Sequence, residues 1–308
     1  MKRIITLGID TSNYTTSAAV CDGGRIVENI RLPLPVKPGE AGLRQSDAVF
    51  HHVRNMPALF SRINTDLSEI SAIGSDITPR DQKGSYMPCF LAGDSNARVL
   101  ARALKIPIFN YSHQANHIRA ALYSSGDGIE GRFIAYHLSG GTFEALICER
   151  MGRTYKVEKA GGTLDVTAGQ IIDRVGVMLG LPFPCGPALE QLAAANTEKL
   201  PNIRPSVNGT FCNLSGLQNK ALAFYSAGKS KEYVAAYTME FIIRTLDKMT
   251  EELLSKYPMP VLFSGGVASN GRIRDVFNNK YKAHFANAEY SADNAAGAAL
   301  LAYEELTK

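Results

Sequence analysis

The feature that most constrains the fold of this chain is an internal repeat of one strand–turn–strand plan. Near the start, "IITLGIDTSNYTTSAAVCDG" (residues 4–23) runs from an apolar strand through a polar, Gly-containing turn into a second apolar strand. The segment "FIAYHLSGGTFEALICERMG" (133–152) follows the same plan. Internal duplication limits the architecture more tightly than any single motif. It predicts an α/β fold of two related lobes that face each other across a cleft.

A polar, Gly-rich stretch, "SSGDGIEG" (124–131), separates the two repeats and marks the predicted lobe boundary. We therefore expect an N-terminal lobe at 1–127 and a C-terminal lobe at 128–308, with the last helix (about 293–307) returning to the cleft. The length of 308 residues suits two lobes. In the first lobe, helical spacing in "QSDAVFHHVRNMPALFSRI" predicts a helix with Ser46 or Asp47 as its N-cap.

Composition excludes several classes of protein. No apolar run approaches the roughly 18 residues of a membrane span, and the N-terminus is typical of a strand and turn rather than of a signal peptide. We thus expect no membrane association. The scattered cysteines form no CxxC pair, which favours reduced thiols and a cytoplasmic protein. They are Cys21, Cys89, Cys148, Cys185 and Cys212.

The charge is only mildly basic. A net charge of +4 permits contact with nucleic acid without demanding it. Four basic residues near the last turns offer possible phosphate contacts, although a solvated charged face is the simpler interpretation. They are Arg272, Arg274, Lys280 and Lys282.

Three turns of similar character each follow an apolar strand: 8–17, 139–142 ("SGGT") and 264–270 ("SGGVASN"). Glycines let the backbone approach a phosphate, and hydroxyls add donors. Any one such turn is more simply a connection between strands. Three of them, two at equivalent points of the repeat, favour a nucleotide site. The sequence contains no GxxxxGK[ST] and no GxGxxG opening a βαβ unit, so a P-loop enzyme and a dinucleotide fold are not supported.

The stretch "HQANH" holds His113 and His117, four residues apart in a predicted helix. Residues i and i+4 share a helix face, so both imidazoles can reach one ion. The alternative is a polar helix face without a ligand role. Asp293, at the mouth of the last helix, is either a third ligand or the N-cap of that helix. Sequence spacing alone does not choose between these interpretations.

These motifs, in this order along nearly the whole chain, resemble one family: the TsaD-like threonylcarbamoyl transferases of tRNA modification, once called M22 glycoproteases. "LGIDTS" resembles the family's first phosphate turn and "HQANH" its HxxxH metal helix. "SGGT" is similar to the second Gly-rich turn. "AGQIIDRVGVMLGLPFPCGPALEQLA" (168–193) is similar to the segment that embraces the nucleoside. "SGGVASNGRIR" and "ADNAAGAAL" resemble the last turn and the segment of the metal aspartate.

The resemblance implies an actin-like ATPase (ASKHA) fold that holds a metal and a nucleotide. The implied metal ligands are His113, His117 and Asp293, for iron or zinc, with magnesium possible. The nucleotide, ATP or an acyl-adenylate, is expected to contact Ser139, Gly140, Gly141, Asp173, Gly186 and Asn270, with Thr11 and Ser12 in the first phosphate turn. The implied reaction passes a threonylcarbamoyl group from its adenylate to N6 of adenosine in tRNA. Other tRNA-modification proteins are implied as possible partners.

Two departures from the family pattern bear on the reaction. The family's first turn continues with Cys, Asp and Glu, whereas Asn13, Tyr14 and Thr15 stand here, and Thr142 replaces the His or Asn after the second Gly pair. The pattern fits a divergent bacterial paralogue as well as the housekeeping enzyme. Two alternatives therefore stay open: a carbamoyl-type transferase with a small-molecule or other acceptor, and a non-catalytic nucleotide-binding member of a modification complex. The sequence assigns no catalytic residue.

Overall fold

A computed structural model of the protein describes residues 3–12, 14–35, 43–126, 128–152 and 154–307. The strands are β1 Ile5–Asp10, β2 Thr15–Asp22, β3 Arg25–Pro33, β4 Ile70–Thr78, β5 Ile108–Ser112, β6 Arg132–Leu138, β7 Phe143–Met151, β8 Thr154–Thr163, β9 Ser206–Asn208, β10 Phe211–Asn213, β11 Val261–Ser264 and β12 His284–Phe285. The helices are α1 Gln45–Phe60, α2 Phe90–Leu104, α3 His113–Ser124, α4 Ala168–Met178, α5 Gly186–Ala194, α6 Ser215–Ser226, α7 Lys231–Lys256, α8 Gly271–Tyr281, α9 Ala288–Ser291 and α10 Ala296–Thr307.

These elements form two compact units, each built from separate parts of the chain. The first unit comprises Met1–Gly128, Arg150–Lys156 and Glu289–Lys308, and the second comprises Ile129–Glu149 and Val157–Ala288. The units thus differ from a single division between residues 127 and 128. The connection between β7 and β8 and the last helix belong to the first unit, where α10 packs on the sheet.

The sheet of the first unit has the order β3-β2-β1-β4-β5. The strands β1, β2 and β3 are antiparallel neighbours, whereas β4 and β5 run parallel to β1. Ile9 of β1 pairs with Ser75 of β4. The next residues, Asp10 and Asp76, therefore lie side by side where the two parallel strands approach their carboxyl ends.

The sheet of the second unit repeats this topology in the order β12-β11-β6-β7-β8, and β10 and β9 extend it. The strands β6 and β7 are antiparallel, whereas β11 and β12 run parallel to β6. Three consecutive strands followed by two parallel strands recur in both units. The duplication inferred from the sequence is thus visible in the strand order, and the predicted α/β class is confirmed.

Helix α10 reaches the sheet of the first unit through backbone contacts that only glycine allows. A Cβ atom at Gly8 of β1 would overlap the carbonyl oxygen of Ala295, and one at Gly74 of β4 would overlap that of Ala298. Thr6 of β1 donates a hydrogen bond from its hydroxyl to the Ala299 carbonyl at 2.7 Å. The helix is therefore seated on β1 and β4, and the segment just before it, which carries Asp293, is placed beside α3.

The predicted N-cap of the first long helix is wrong. Helix α1 begins at Gln45, and the cap position is held by Arg44, whose side chain makes no capping hydrogen bond. The first turn closes through the backbone, where the Ala48 N–H donates to the Arg44 carbonyl at 2.9 Å. Ser46 and Asp47 consequently lie inside the helix.

Among the described residues, no helix combines the length and the apolar character needed to cross a bilayer. The longest, α7, carries charged residues along its exposed side while its other side is buried in the core of the second unit. All five cysteines are buried and none is in a disulfide, as their dispersed positions predict.

Candidate metal and nucleotide sites

The histidine pair lies at the start of α3 because Ser112, the last residue of β5, caps that helix. The Ser112 hydroxyl accepts a hydrogen bond from the Ala115 N–H at 3.2 Å. His113 is thus the first helical residue and His117 lies one turn later. The Nε2 atoms of the two rings are 2.9 Å apart, and the ring centroids are 4.2 Å apart. The helix therefore directs both imidazole nitrogens to one point.

Asp293 faces the same point. Its Oδ1 lies 3.4 Å from His117 Nε2 and 3.6 Å from His113 Nε2. The alternative role of Asp293 as an N-cap is filled by its neighbour: Asn294 Oδ1 accepts from the Ala296 N–H at 2.9 Å. The Asp293 carboxylate is thus directed to the two imidazoles rather than to the end of α10.

The three ligand atoms fit the coordination shell of one ion. Their separations are 2.9, 3.4 and 3.6 Å. Bonds of about 2.0–2.2 Å in a tetrahedral shell place neighbouring ligand atoms about 3.3 Å apart. Two imidazole nitrogens and one carboxylate oxygen suit zinc or iron. Three protein ligands also leave a position for substrate or water, as in catalytic metal sites.

Two buried carboxylates lie on the other side of the His113 ring. Asp10 Oδ2 is 3.3 Å from His113 Nδ1, and Asp76 Oδ2 is 3.7 Å from it. Both aspartates are completely buried. A carboxylate behind a ligating histidine fixes the ring orientation and raises its basicity. Neither His113 Nδ1 nor Asp76 Oδ1 has a hydrogen-bond partner of good geometry, so polar capacity remains in this pocket.

The pKa shifts in this cluster arise from burial and from the neighbouring charged groups. Burial and the neighbouring Asp10 carboxylate raise the pKa of Asp76. Burial lowers the pKa of His113, but the carboxylates of Asp10, Asp76 and Asp293 outweigh it and raise that pKa well above the ordinary value. Three carboxyl groups thus surround one imidazole. Such a pocket favours a cation.

Asp10 and Asp76 were not among the residues predicted from the sequence. Both follow a strand glycine by two positions, in "GID" and "GSD". Because β1 and β4 are parallel neighbours, these two aspartates meet at one edge of the sheet. A matched Gly-x-Asp at the ends of two buried strands was the available signal. The pairing of β1 with β4 was needed to interpret it.

Thr11 and Ser12 use their hydroxyls within the first unit. The Thr11 hydroxyl donates to the Cys89 carbonyl at 2.9 Å and accepts from the Gly93 N–H at 3.0 Å. Ser12 donates to both carboxylate oxygens of Asp10, from its N–H at 3.0 Å and its hydroxyl at 2.6 Å. These bonds hold the first turn and orient Asp10. The predicted nucleotide contact of Thr11 and Ser12 stays a prediction, and Asn13 lies outside the described residues.

In the second unit, two glycine turns lie side by side because β6 and β11 are parallel neighbours. The turn 139–142 closes through the Ser139 N–H, which donates to the Thr142 carbonyl at 2.8 Å. Gly265 has a φ of +96°, and a Cβ there would overlap the carbonyl oxygen of Leu138. The carboxyl ends of neighbouring parallel strands are where α/β folds bind ligands.

Helix α4 begins against the first of these turns. A Cβ at Gly169 would lie 2.7 Å from the Gly140 Cα atom, so glycine is required for this approach. Thr167 and Gln170 form a capping box, and the Thr167 hydroxyl donates to the Gly140 carbonyl at 2.8 Å. The positive end of the helix dipole therefore lies beside the turn, where it favours an anionic group.

A cavity of about 420 Å³ opens beside these turns, within the range of sites that hold small molecules. Its lining residues are Gly140, Gly169, Ile172, Asp173, Pro184, Gly186, Pro187, Glu190, Met239, Gly266, Val267, Ser269 and Asn270. A Cβ at Gly140 or at Gly186 would contact no atom within 4 Å, so bare backbone faces open space at both positions. Asp173 accepts from the Cys185 N–H at 2.9 Å, which joins α4 to the start of α5.

Four predicted nucleotide residues line this cavity: Gly140, Asp173, Gly186 and Asn270. Ser139 and Gly141 belong to the adjoining turn. Two further lining residues with polar side chains, Glu190 and Ser269, were not predicted. Ser269 lies in the turn already singled out, and its buried hydroxyl has no hydrogen-bond partner. Glu190 lies one helical turn after Gly186, so the helical period of α5 was the signal for it.

The basic residues near the last turns make internal contacts. Arg272 pairs with Glu240 at 2.6 Å, and Lys280 pairs with Asp247 at 2.8 Å. Arg274 donates to the Ala286 carbonyl at 2.7 Å. These contacts agree with a solvated, ion-paired face rather than with a surface reserved for phosphate.

Sequence comparison assigns the family. The family model described as tRNA N6-adenosine threonylcarbamoyltransferase, TsaD, matches residues 46–300. The chain belongs to this family. Proteins named tRNA N6-adenosine threonylcarbamoyltransferase are similar to it along most of their length. That of Methanopyrus kandleri is 30% identical, with 95% of this chain and 85% of the relative covered. That of Thermotoga neapolitana is 28% identical, with 97% and 93% covered.

Comparison with solved structures confirms the actin-like ATPase fold predicted for a TsaD-family chain. The HypF of T. kodakarensis has a TM-score of 0.61 at 14% identity, over 99% of this chain and 48% of that one. Component A of (R)-2-hydroxyglutaryl-CoA dehydratase from Acidaminococcus fermentans has a TM-score of 0.58 at 14% identity, over 99% and 100%. At such low identities these likenesses establish the fold alone.

Proposed function

We propose that this TsaD-family protein transfers a threonylcarbamoyl group from its adenylate to N6 of an adenosine in tRNA, using a divalent ion held by His113, His117 and Asp293. The observation that carries the proposal is the convergence of these three ligand atoms in front of two buried carboxylates. When bound, a divalent ion polarises a phosphoryl or carbonyl oxygen. Iron and zinc suit the donor set, and magnesium suits a site that also receives phosphate.

The second unit supplies the proposed nucleotide contacts, for ATP or the acyl-adenylate. Asp173 has a carboxylate at the cavity wall that can accept from ribose hydroxyls. The backbone of Gly140 and the start of α4 can face phosphate oxygens and developing negative charge. Ser139, Gly141 and Asn270 complete this wall in the proposal, and Gly186 leaves room for the nucleoside.

Residues of the first unit orient the proposed metal ligands. Asp10, oriented by Ser12, fixes the His113 ring from behind, and Ser112 fixes the start of the helix. In the transfer, N6 of adenosine forms a bond to the carbamoyl carbon, the bond from that carbon to the phosphate oxygen breaks, AMP leaves with the electron pair, and N6 loses a proton. The tRNA acceptor, partner proteins of tRNA modification and a cytoplasmic setting belong to the same proposal.

The test combines the purified protein, unmodified tRNA and threonylcarbamoyl-adenylate, followed by mass spectrometry of the tRNA nucleosides. We expect threonylcarbamoyladenosine with the wild type and its loss with His117→Ala. Consumption of the adenylate without tRNA, and no modified nucleoside, would instead indicate a carbamoyl-type transferase with another acceptor. Bound nucleotide with no product from any acceptor would identify a non-catalytic member.

A substitution in the cavity tests the nucleotide part separately. Gly186→Val places two methyl groups in the cavity, where a Cβ meets no atom within 4 Å. We expect the affinity for an adenine nucleotide to fall at least tenfold, or about 1.4 kcal/mol, with little change in melting temperature. Gly216→Val is the matched control, because Gly216 also lies in open space at the start of a helix, outside the cavity. Equal nucleotide affinity in both variants would place the nucleotide elsewhere.

A further inference from the structure

Asn116, between the two histidines of α3, joins the elements that carry the proposed metal ligands. It is completely buried. Its Nδ2 donates to Asp76 Oδ2 and to the Asn294 carbonyl, each at 2.6 Å. Its Oδ1 accepts from the Ala298 N–H at 3.1 Å. One side chain therefore ties the end of β4, the segment before α10 and the first turn of α10 to the histidine helix.

We propose that Asn116 is a positioning residue that sets the distance between the histidine pair and Asp293. The inference rests on the proposed metal site. It goes beyond that site because it assigns a role to a residue that touches neither ion nor substrate. Asn294, which Asn116 holds through its carbonyl, is the residue directly after Asp293. Asn116 itself lies one position before His117, so its hydrogen bond links the helix of the two histidines to the segment that carries Asp293.

The orientation of the Asn116 amide follows from its partners. A carboxylate oxygen and a backbone carbonyl can only accept, whereas the Ala298 N–H can only donate. The amide nitrogen must therefore face Asp76 and Asn294, and the amide oxygen must face α10. No other amino acid of this size supplies two donors and one acceptor with this geometry. Aspartate, which has the same shape, would place an acceptor against two acceptors.

Asn116 also acts on the opposite side of the site through Asp76. Asp76 Oδ2, which accepts from Asn116, is the oxygen that lies 3.7 Å from His113 Nδ1. The carboxylate behind the histidine is thus held by the same amide that holds the segment of Asp293. Loss of the amide would free both the Asp76 carboxylate and the segment that carries Asp293. The three ligand atoms would then no longer be held in the coordination shell of one ion.

Gly297 of α10 allows this helix to approach Asn116 of α3 closely. A Cβ at Gly297 would overlap the Asn116 carbonyl oxygen and lie 2.6 Å from its Oδ1. The two helices therefore touch at Asn116 without an intervening side chain. The amide thus lies where α3 and α10 are in backbone contact, and it binds the residue that follows Asp293.

The test measures Zn²⁺ affinity by competition with a chelator for the full-length wild type, Asn116→Asp and Asn116→Ser, together with circular dichroism and the spectrum of bound Co²⁺. The control is Gln114→Ala on the same helix, since Gln114 engages the Pro79 carbonyl through its backbone N–H. We expect the affinity to fall about 10–100-fold in the Asn116 variants, as for other residues that orient metal ligands. We also expect an altered Co²⁺ spectrum and no change in Gln114→Ala.

A purely structural role would lower the melting temperature of the Asn116 variants and leave the Zn²⁺ affinity and Co²⁺ spectrum of the folded protein at wild-type values. That result would overturn the inference. If Asn116→Asp does not fold, Asn116→Ser, which keeps a small polar side chain, decides by the same two readouts. Wild type that binds no Zn²⁺ would overturn the proposed metal site and the inference together. Wild-type binding that is insensitive to Asn116 would overturn the inference alone.

Discussion

Alanine in place of His113 or His117 should remove the bound divalent ion from the purified protein. Each substitution deletes one of three ligand atoms that lie within 3.6 Å of one another, and two remaining ligands hold a divalent ion poorly in competition with water. The loss should exceed the roughly tenfold to hundredfold effect of removing a residue behind a ligand. Elemental analysis of protein equilibrated with iron or zinc gives the ion content directly.

His51→Ala is the control for that experiment. His51 lies on α1 and stacks edge-on against Phe50, so its removal changes the histidine content of the protein without touching the α3 site. We expect its ion content to match that of the wild type. Wild-type ion content in both α3 variants would mean that the ion is held elsewhere, and the proposed site would have to be abandoned.

Gly297→Ala should destabilise the protein and lower its ion content at the same time. The added Cβ would overlap the backbone carbonyl of Asn116, which cannot move aside as a flexible side chain can. Overpacking of this kind costs about 1–3 kcal/mol, against a gain of about 0.5–1 kcal/mol from replacing a helical glycine. We expect a net loss of about 1 kcal/mol in the free energy of unfolding, measured by urea denaturation.

The ion content should fall with Gly297→Ala because a displaced α10 carries Asp293 away from the two histidines. Gly216→Ala is a closely matched control. Each glycine is the second residue of its helix, but a Cβ at Gly216 meets no atom within 4 Å. The control should be neutral or slightly stabilising, with unchanged ion content. An equal response of the two variants would refute the close approach of α3 and α10.

The fold could be predicted from the sequence because the duplicated strand–turn–strand plan is a local pattern. Each copy could be recognised from its own apolar runs and glycine turn, and the strand orders of the two units reproduce it. The start of α1 was missed because the N-cap residue, Arg44, makes no capping hydrogen bond with its side chain. N-cap prediction relies on the side chains of Ser, Thr, Asp and Asn. A helix that begins without such a side chain therefore cannot be located by it.

The site could be predicted only in part for a different reason. His113 and His117 are neighbours by helix geometry alone, whereas Asp293 joins them only because α10 returns to the sheet of the first unit. Asp10 and Asp76 lie close together through a pairing of parallel strands far apart in sequence. The role of Asn116 depends on both of these long-range relations, so it had no signature within "HQANH" itself.

The seating of α10 on the first unit also dictates the order in which the protein can assemble. The hydrogen bond from Thr6 to Ala299 joins residues 293 positions apart, so the first unit gains helix α10 only after the second unit has been synthesised. Contacts of such long range are slow to form. A growing chain would expose the glycine surfaces of β1 and β4 and the histidine pair without Asp293, and the second unit would be made before the first is finished. Binding of the ion at the proposed site is therefore expected only after the second unit has been synthesised.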